Sequence, residues 1–380
     1  MNVRKLSLSV LGLAGLVAGA AHADAPATKW YDKVTLGGYV DAYYQQALSG
    51  DTVTVNNATG GRAYDATVNA FNVGGGELTL AASDDKSKTS YYVDILLGQL
   101  ANNAGLGTPG TMLGQAYMTD TFGSAKFTFG KFGTIIGTEV TNPLSNDNFS
   151  RGFVYQQEPV YSVGLKVDYS LPASFVLTGL IDNGNSIDKA ANEGKGYGLE
   201  LAWTGIKNLG TSVSYYGAPF DKGAAGIRYQ DFLNVLVSYQ AMDTLSFNAE
   251  YLYDTTIDTN TNADPTKGAV AFSPKTQGVA LYANWNTPMA GLSLSPRVEQ
   301  IANPDRVNPG SAGGGLGGFT NTSYVFDSYT LTLKYADGPL THYLEFRTDA
   351  SNDYVFSDNK PTPTLSQSRM TLTYAAAYGF

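Results

Sequence analysis

Ionisable side chains in this chain recur at alternate positions, while the residue types that make and break bonds are scarce. Cysteine is absent, and histidine occurs only at positions 22 and 342. Without thiols there is no disulfide framework and no thiolate metal site. No G-x-S-x-G turn occurs, and the histidine that would serve a nucleophile shares the apolar side of Leu340, Leu344 and Phe346. The glycine run from Gly310 to Gly318 opens no helix after a strand and lacks the lysine of a phosphate loop. What remains is a lining. Asp41, Glu77, Asp94, Asp168, Glu200, Glu250, Glu299 and Glu345 occupy one parity of their segments. Lys126, Lys166, Arg297, Lys334, Arg347 and Arg369 occupy the same one. Nearly balanced charges facing one space hold a transverse field across water, and they do not constitute a reaction centre. The expectation is a protein that is no enzyme, with neither cofactor nor bound metal, and a weak cation preference from the acidic excess.

Sixteen alternating segments position that lining: 33–46, 69–82, 88–99, 112–120, 125–132, 160–170, 174–182, 196–204, 209–217, 231–240, 243–254, 276–286, 290–301, 325–335, 340–349 and 367–380. In 325–335, Tyr329, Leu331, Leu333 and Tyr335 oppose Ser328, Thr330, Thr332 and Lys334. In 340–349, Leu344 and Phe346 oppose Glu345, Arg347 and Asp349. Short connections such as Thr121–Ser124, Ala241–Met242 and Ala336–Pro339 alternate with long ones such as 47–68, 133–159, 255–275, 302–324 and 350–366. Tight turns on one rim and long loops on the other predict an all-β, antiparallel up-and-down barrel crossing a membrane, with both termini in the periplasm. Sixteen strands enclose more space than their side chains fill, which implies water inside.

The ends and the composition agree. Arg4 and Lys5, the apolar run from Leu6 to Ala21, and Ala21-His22-Ala23 read as a signal peptide, residues 1–23, cleaved before Asp24. Residues 24–380 then form a single barrel domain of the bacterial outer membrane. The final segment puts Met370, Leu372, Tyr374, Ala376, Tyr378 and Phe380 on one face. That terminal Tyr378 and Phe380 resemble the signal read by the barrel-assembly machinery. The 26 tyrosines suit membrane–water interfaces facing lipid and lipopolysaccharide. A formal charge of −9 argues against nucleic acid.

Loop 133–159 combines acids, one arginine and aromatics, and is expected to fold inward and narrow the lumen. Its candidate constriction residues are Glu139, Asp147, Arg151, Tyr155 and Glu158, with Lys126 and Lys166 on the adjoining walls. The run Phe127-Thr-Phe-Gly-Lys131-Phe-Gly-Thr-Ile-Ile-Gly-Thr-Glu139, then Asn148-Phe-Ser-Arg151 and Pro159, resembles the OmpL-like β-barrel porin-2 family. Thr35-Leu-Gly-Gly-Tyr39-Val-Asp41 and Tyr378-Gly-Phe380 are similar to segments of such porins. The resemblance implies passive diffusion of small hydrophilic solutes across the outer membrane. It fixes no selectivity residues. Two other readings stay open. Tyr39, Tyr43, Tyr282 and Tyr343 on the lumen parity would stack on sugar rings in a substrate-specific carbohydrate channel, and the loops would serve a surface receptor or adhesin. By analogy with sixteen-stranded porins, a homotrimer is expected.

Overall fold

The computed structural model describes residues 33–49, 54–55, 58–59, 62, 64–65, 67–84, 87–103, 111–188, 194–223, 226–258, 275–302, 325–352, 354, 356–357 and 365–380. Segments 1–23 and 310–318 lie outside them. Among the described residues, sixteen strands form the barrel: β1 Val34–Ser49, β2 Ala70–Asp84, β3 Thr89–Leu97, β4 Thr111–Phe122, β5 Ala125–Gly133, β6 Tyr161–Leu171, β7 Phe175–Asp182 and β8 Gly196–Trp203. They continue β9 Leu209–Gly223, β10 Gly226–Met242, β11 Leu245–Asp258, β12 Lys275–Asn286, β13 Leu292–Ala302, β14 Val325–Asp337, β15 Leu340–Ser351 and β16 Ser368–Gly379. Every neighbour pairs antiparallel, and β1 pairs with β16 to close the barrel. The seam ends on Gly38 and Phe380, which exchange backbone hydrogen bonds of 3.1 and 3.0 Å. Closure leaves no strand edge to be satisfied in lipid.

Side-chain burial alternates through the wall, and it is inverted relative to a water-soluble fold. On β13, Ser293, Ser295, Arg297 and Glu299 are buried while Pro296, Val298 and Gln300 are exposed. On β15, Tyr343, Glu345, Arg347 and Asp349 are buried while Leu344 and Phe346 are exposed. The polar parity therefore faces the lumen and the apolar parity faces lipid. His342 stands on the lipid side between Tyr335 and Tyr374, with Nδ1 2.9 Å from the Tyr374 hydroxyl. Leu331 lies halfway along β14 and is 45% exposed. Leu331→Arg is expected to cost about 2–4 kcal/mol, against about 0–1 kcal/mol for a charge at a strand end. Urea unfolding of liposome-inserted protein checks this, and equal costs at both depths would contradict a membrane-facing Leu331.

Two features depart from the sequence expectation. Strands β9 and β10 run past 217 and begin before 231, so only 224–225 connect them on the long-loop rim. Pro219 lies at a register shift, where a residue without an N–H is tolerated, and the pairing resumes beyond it. The interior is also less aqueous than alternation implies. Phe232 and Leu252 are fully buried on the lumen side, and they join Leu180 and Tyr216 in an apolar cluster with Ile135, Ile136 and Val154 of the third long connection. A sixteen-stranded wall is too wide to fill from its own side chains, so a loop supplies the missing apolar surface.

Candidate pore constriction

Gly133 and Tyr161 are register partners at the rim, so both limbs of segment 134–160 leave the wall side by side. Ile135 and Ile136 turn the outgoing limb inward onto the apolar cluster. Within the loop, Asn142 caps a 3-10 turn over Pro143–Ser145, its Oδ1 accepting from Leu144 N at 2.9 Å. Asn146 clasps Val140 through both backbone groups, at 2.9 and 2.6 Å. Arg151 is spent inside the loop: its guanidinium donates to the carbonyls of Phe149, Val140 and Thr141 and lies over the Tyr64 ring. Tyr155 is buried and hydrogen-bonds Tyr64 at 3.2 Å.

The loop crosses the lumen and docks on β13 to β15. Arg297 Nη1 donates to Glu139 Oε1 at 2.7 Å and to the Ser150 carbonyl at 2.6 Å. Wall carboxylates take loop N–H groups that would otherwise face water: Phe149 N to Glu345 Oε2 at 2.8 Å, Val154 N to Glu299 Oε1 at 3.2 Å. Such charge-assisted bonds are roughly twice as strong as neutral ones. Arg347 Nη1 donates to the Arg151 carbonyl at 2.8 Å, and Lys334 Nζ to the Asn146 carbonyl at 2.8 Å. Asn148 Nδ2 donates to the Ser295 carbonyl and to Thr332 Oγ1 at 2.9 and 2.8 Å. On the near side, Asn142 Nδ2 reaches Glu77 Oε2 at 3.3 Å. Asp147 Oδ1 accepts from Asn284 Nδ2 at 2.6 Å, and burial raises its pKa above the usual carboxylate range.

Beside this contact lies a basic hub. Asp349 accepts from Arg347 Nε and Arg369 Nε, both at 2.7 Å, and from Arg62 Nη2 at 3.1 Å. Arg62 belongs to the connection between β1 and β2, and it also pairs with Asp65 at 3.0 Å. Nothing in the sequence alternation pointed to Arg62, Tyr64 or Asp65, because they lie in a connection rather than a strand. The other inward charges are placed by their strands. Asp94 takes Gln115 N at 2.6 Å, Glu200 takes Ser214 Oγ at 2.9 Å, and Glu250 takes Asn234 Nδ2 at 2.7 Å. Asp41 is buried at the lumen side of β1. Lys166 and Asp168 lie 3.7 Å apart and stay partly accessible; Lys126, opposite Asp168 in register, is exposed. Tyr39, Tyr43, Tyr282 and Tyr343 face inward, yet all four are buried, and Tyr343 donates to the loop carbonyl of Pro143 at 3.1 Å. Among the described residues no group of His, Cys, Asp or Glu is arranged to hold a metal ion.

A closed sixteen-stranded barrel with its third long loop folded across the lumen is a porin architecture. Residues 33–380 match the family model described as "Putative beta-barrel porin-2, OmpL-like". The chain belongs to this family. It is an outer-membrane porin, a channel for passive diffusion of small solutes. No curated protein matches it in sequence. Among solved structures, this porin is similar to the anion-selective porin from Comamonas acidovorans, with 10% identity over 91% of this chain and 99% of that one and a TM-score of 0.60. It is similar to the outer membrane channel DcaP of Acinetobacter baumannii, with 10% identity over 91% of this chain and 97% of that one and a TM-score of 0.58. It is also similar to OprB of Pseudomonas putida, with 13% identity over 92% of this chain and 94% of that one and a TM-score of 0.57. At such identities the likeness concerns the barrel alone.

Proposed function

We propose that segment 134–160 is the size-setting constriction of a non-enzymatic, non-specific diffusion channel. The docking of loop N–H groups on Glu299 and Glu345 carries this reading, because those bonds hold a loop across the lumen where water would otherwise stand. Glu139, Arg151, Tyr155 and Glu158 act by holding the loop in place. Asp147, Lys166, Asp168, Lys334 and Lys126 keep some exposure and meet the solute. The buried state of the four inward tyrosines speaks against a sugar-stacking track.

Planar-bilayer recordings with graded sugars test the proposal, comparing wild type with a protein in which 138–157 is replaced by a short Gly-Ser linker. The shortened loop is expected to raise single-channel conductance and admit larger sugars. Equal conductance and equal sugar cut-off would remove the loop from the conduction path.

We further propose that residues 1–23 are removed on export and that Tyr378 and Phe380 present the assembly signal. The outward face would meet lipid and lipopolysaccharide, and the barrels would assemble as homotrimers.

A further inference from the structure

One pair of acids lies where both limbs of the constriction loop meet the wall. Glu158 is in the returning limb, Glu250 is on β11, and their buried carboxyl groups face each other. Among the described residues no N–H or O–H donor reaches either oxygen of Glu158 or Oε2 of Glu250. Two carboxylates are acceptors only, so a hydrogen bond between them needs a proton held in common. The other oxygen of Glu250, Oε1, accepts from Asn234 Nδ2 at 2.7 Å, and Asn234 Oδ1 accepts from Gly137 N at 3.3 Å. Gly137 is in the outgoing limb. A continuous chain therefore runs from Gly137 through Asn234 and Glu250 to Glu158, tying both limbs to one place. Gly137 has a φ of 90°, open to glycine, and a Cβ there would overlap the Glu158 carboxylate. The acid is packed directly against the opposite limb.

Among the described residues, the charged groups around this pair are acids and arginines already paired with other acids. Glu139 on the outgoing limb and Glu299 on β13 face it as further acids. Tyr282 on β12 brings a hydroxyl that also lacks a partner. Arg297 on β13 is engaged by Glu139 and Glu299, at 2.7 and 3.1 Å. Arg347 on β15 is engaged by Asp349 at 2.7 Å.

We propose that Glu158 and Glu250 form a proton latch: one shared proton keeps the constriction loop seated, and its loss parts the limbs from the wall. Burial and the Glu250 charge push the Glu158 carboxyl well above the ordinary carboxylate range. A raised acid stabilises the docked loop at pH below its ordinary value, and that stability is lost as pH climbs through the raised value. The channel is thus acid-seated and base-released.

The proposal rests on the loop being the constriction, so the loop-shortened protein is recorded alongside. Full-length protein in planar bilayers is taken from about pH 5 to about pH 9, a range in which ordinary carboxylates are already ionised. Wild-type conductance is expected to step upward with pH. Glu158→Gln supplies an amide N–H to Glu250 permanently, so the step should be lost and conductance held at the low level. Glu250→Gln should do the same from the other side, and carries the test if Glu158→Gln fails to give heat-modifiable barrel. A flat wild-type profile, or a step that survives in both glutamine variants, overturns the latch. A step that follows calcium at fixed pH also overturns it, in favour of a bridging cation. If the shortened loop conducts no better than wild type, the constriction reading itself has failed; if it conducts better and wild type shows no step, only the latch has.

Discussion

Arg297→Met is expected to unseat the constriction loop while leaving the barrel assembled. Arg297 is buried, and its guanidinium meets Glu139 Oε1 at 2.7 Å, the Ser150 carbonyl at 2.6 Å, Glu299 Oε2 at 3.1 Å and Thr330 Oγ1 at 3.1 Å. Methionine keeps much of the volume and donates nothing. Glu139 and Glu299 would then stand desolvated without their cation, and breaking a buried pair by removing one partner costs about 3–5 kcal/mol. The ladder around the barrel does not run through these side chains, so the cost falls on the loop, which is free to leave. Conductance should rise and the reversal potential in a salt gradient should shift towards cations, because acids once neutralised now face the lumen. Arg297→Lys should fall between, since a single ammonium cannot reproduce the forked contact to both loop and wall. Wild-type conductance and reversal potential in Arg297→Met would refute the role given to this residue.

The wall was legible in the sequence because a membrane strand writes its environment at every second residue. Ser328, Thr330 and Thr332 against Tyr329, Leu331 and Leu333 left no choice of face. Alternation alone does not fix the register where glycines mark irregular pairing. The pairing of β1 with β2 shifts between Asp41 and Ala42, and that of β3 with β4 between Asp94 and Ile95. At both places a lumen carboxylate fills the space that a Cβ on Gly74 or Gly114 would need. An acid opposite a strand glycine was the signal for these nests. The docking of the loop was harder to read. Parity tells which face a residue occupies and not what covers it: Phe232 and Leu252 lie on the lumen face, and Ile135, Ile136 and Val154 come against them. The apolar pair Ile135-Ile136, between the glycines of a polar loop, was the available sign. Arg151 read as a pore charge because sequence gives a side chain's charge and not its acceptors; here they are carbonyls of its own loop.

Asp349→Asn is expected to produce a defect of the same size and the opposite electrical sign. Asp349 is fully buried and accepts from Arg347 and Arg369 at 2.7 Å, from Arg62 at 3.1 Å and from Ser328 Oγ at 2.8 Å. Asparagine preserves the shape, removes the charge and turns an N–H₂ towards guanidiniums that have nothing to accept with. Of the acids contacting the three arginines, Asp65 would still pair with Arg62. Leaving buried charge uncompensated costs about 3–5 kcal/mol. Arg347 and Arg369 are fixed in strands, whereas Arg62 sits in the connection between β1 and β2, so Arg62 is the group that should leave. Its departure also removes the tie between that connection and the barrel wall at Thr371, now a 3.0 Å hydrogen bond. Reversal potentials should move towards anions, because the strand arginines lose the carboxylate that masks them. The two hubs meet at Ser150, whose Oγ receives Arg297 Nη2 at 3.1 Å and Arg347 Nη1 at 3.2 Å. This shared contact couples the two sites, so the double variant should depart from the sum of the singles. Opposite shifts in selectivity from two comparable losses of stability would separate charge masking from general loosening, which would move both variants the same way.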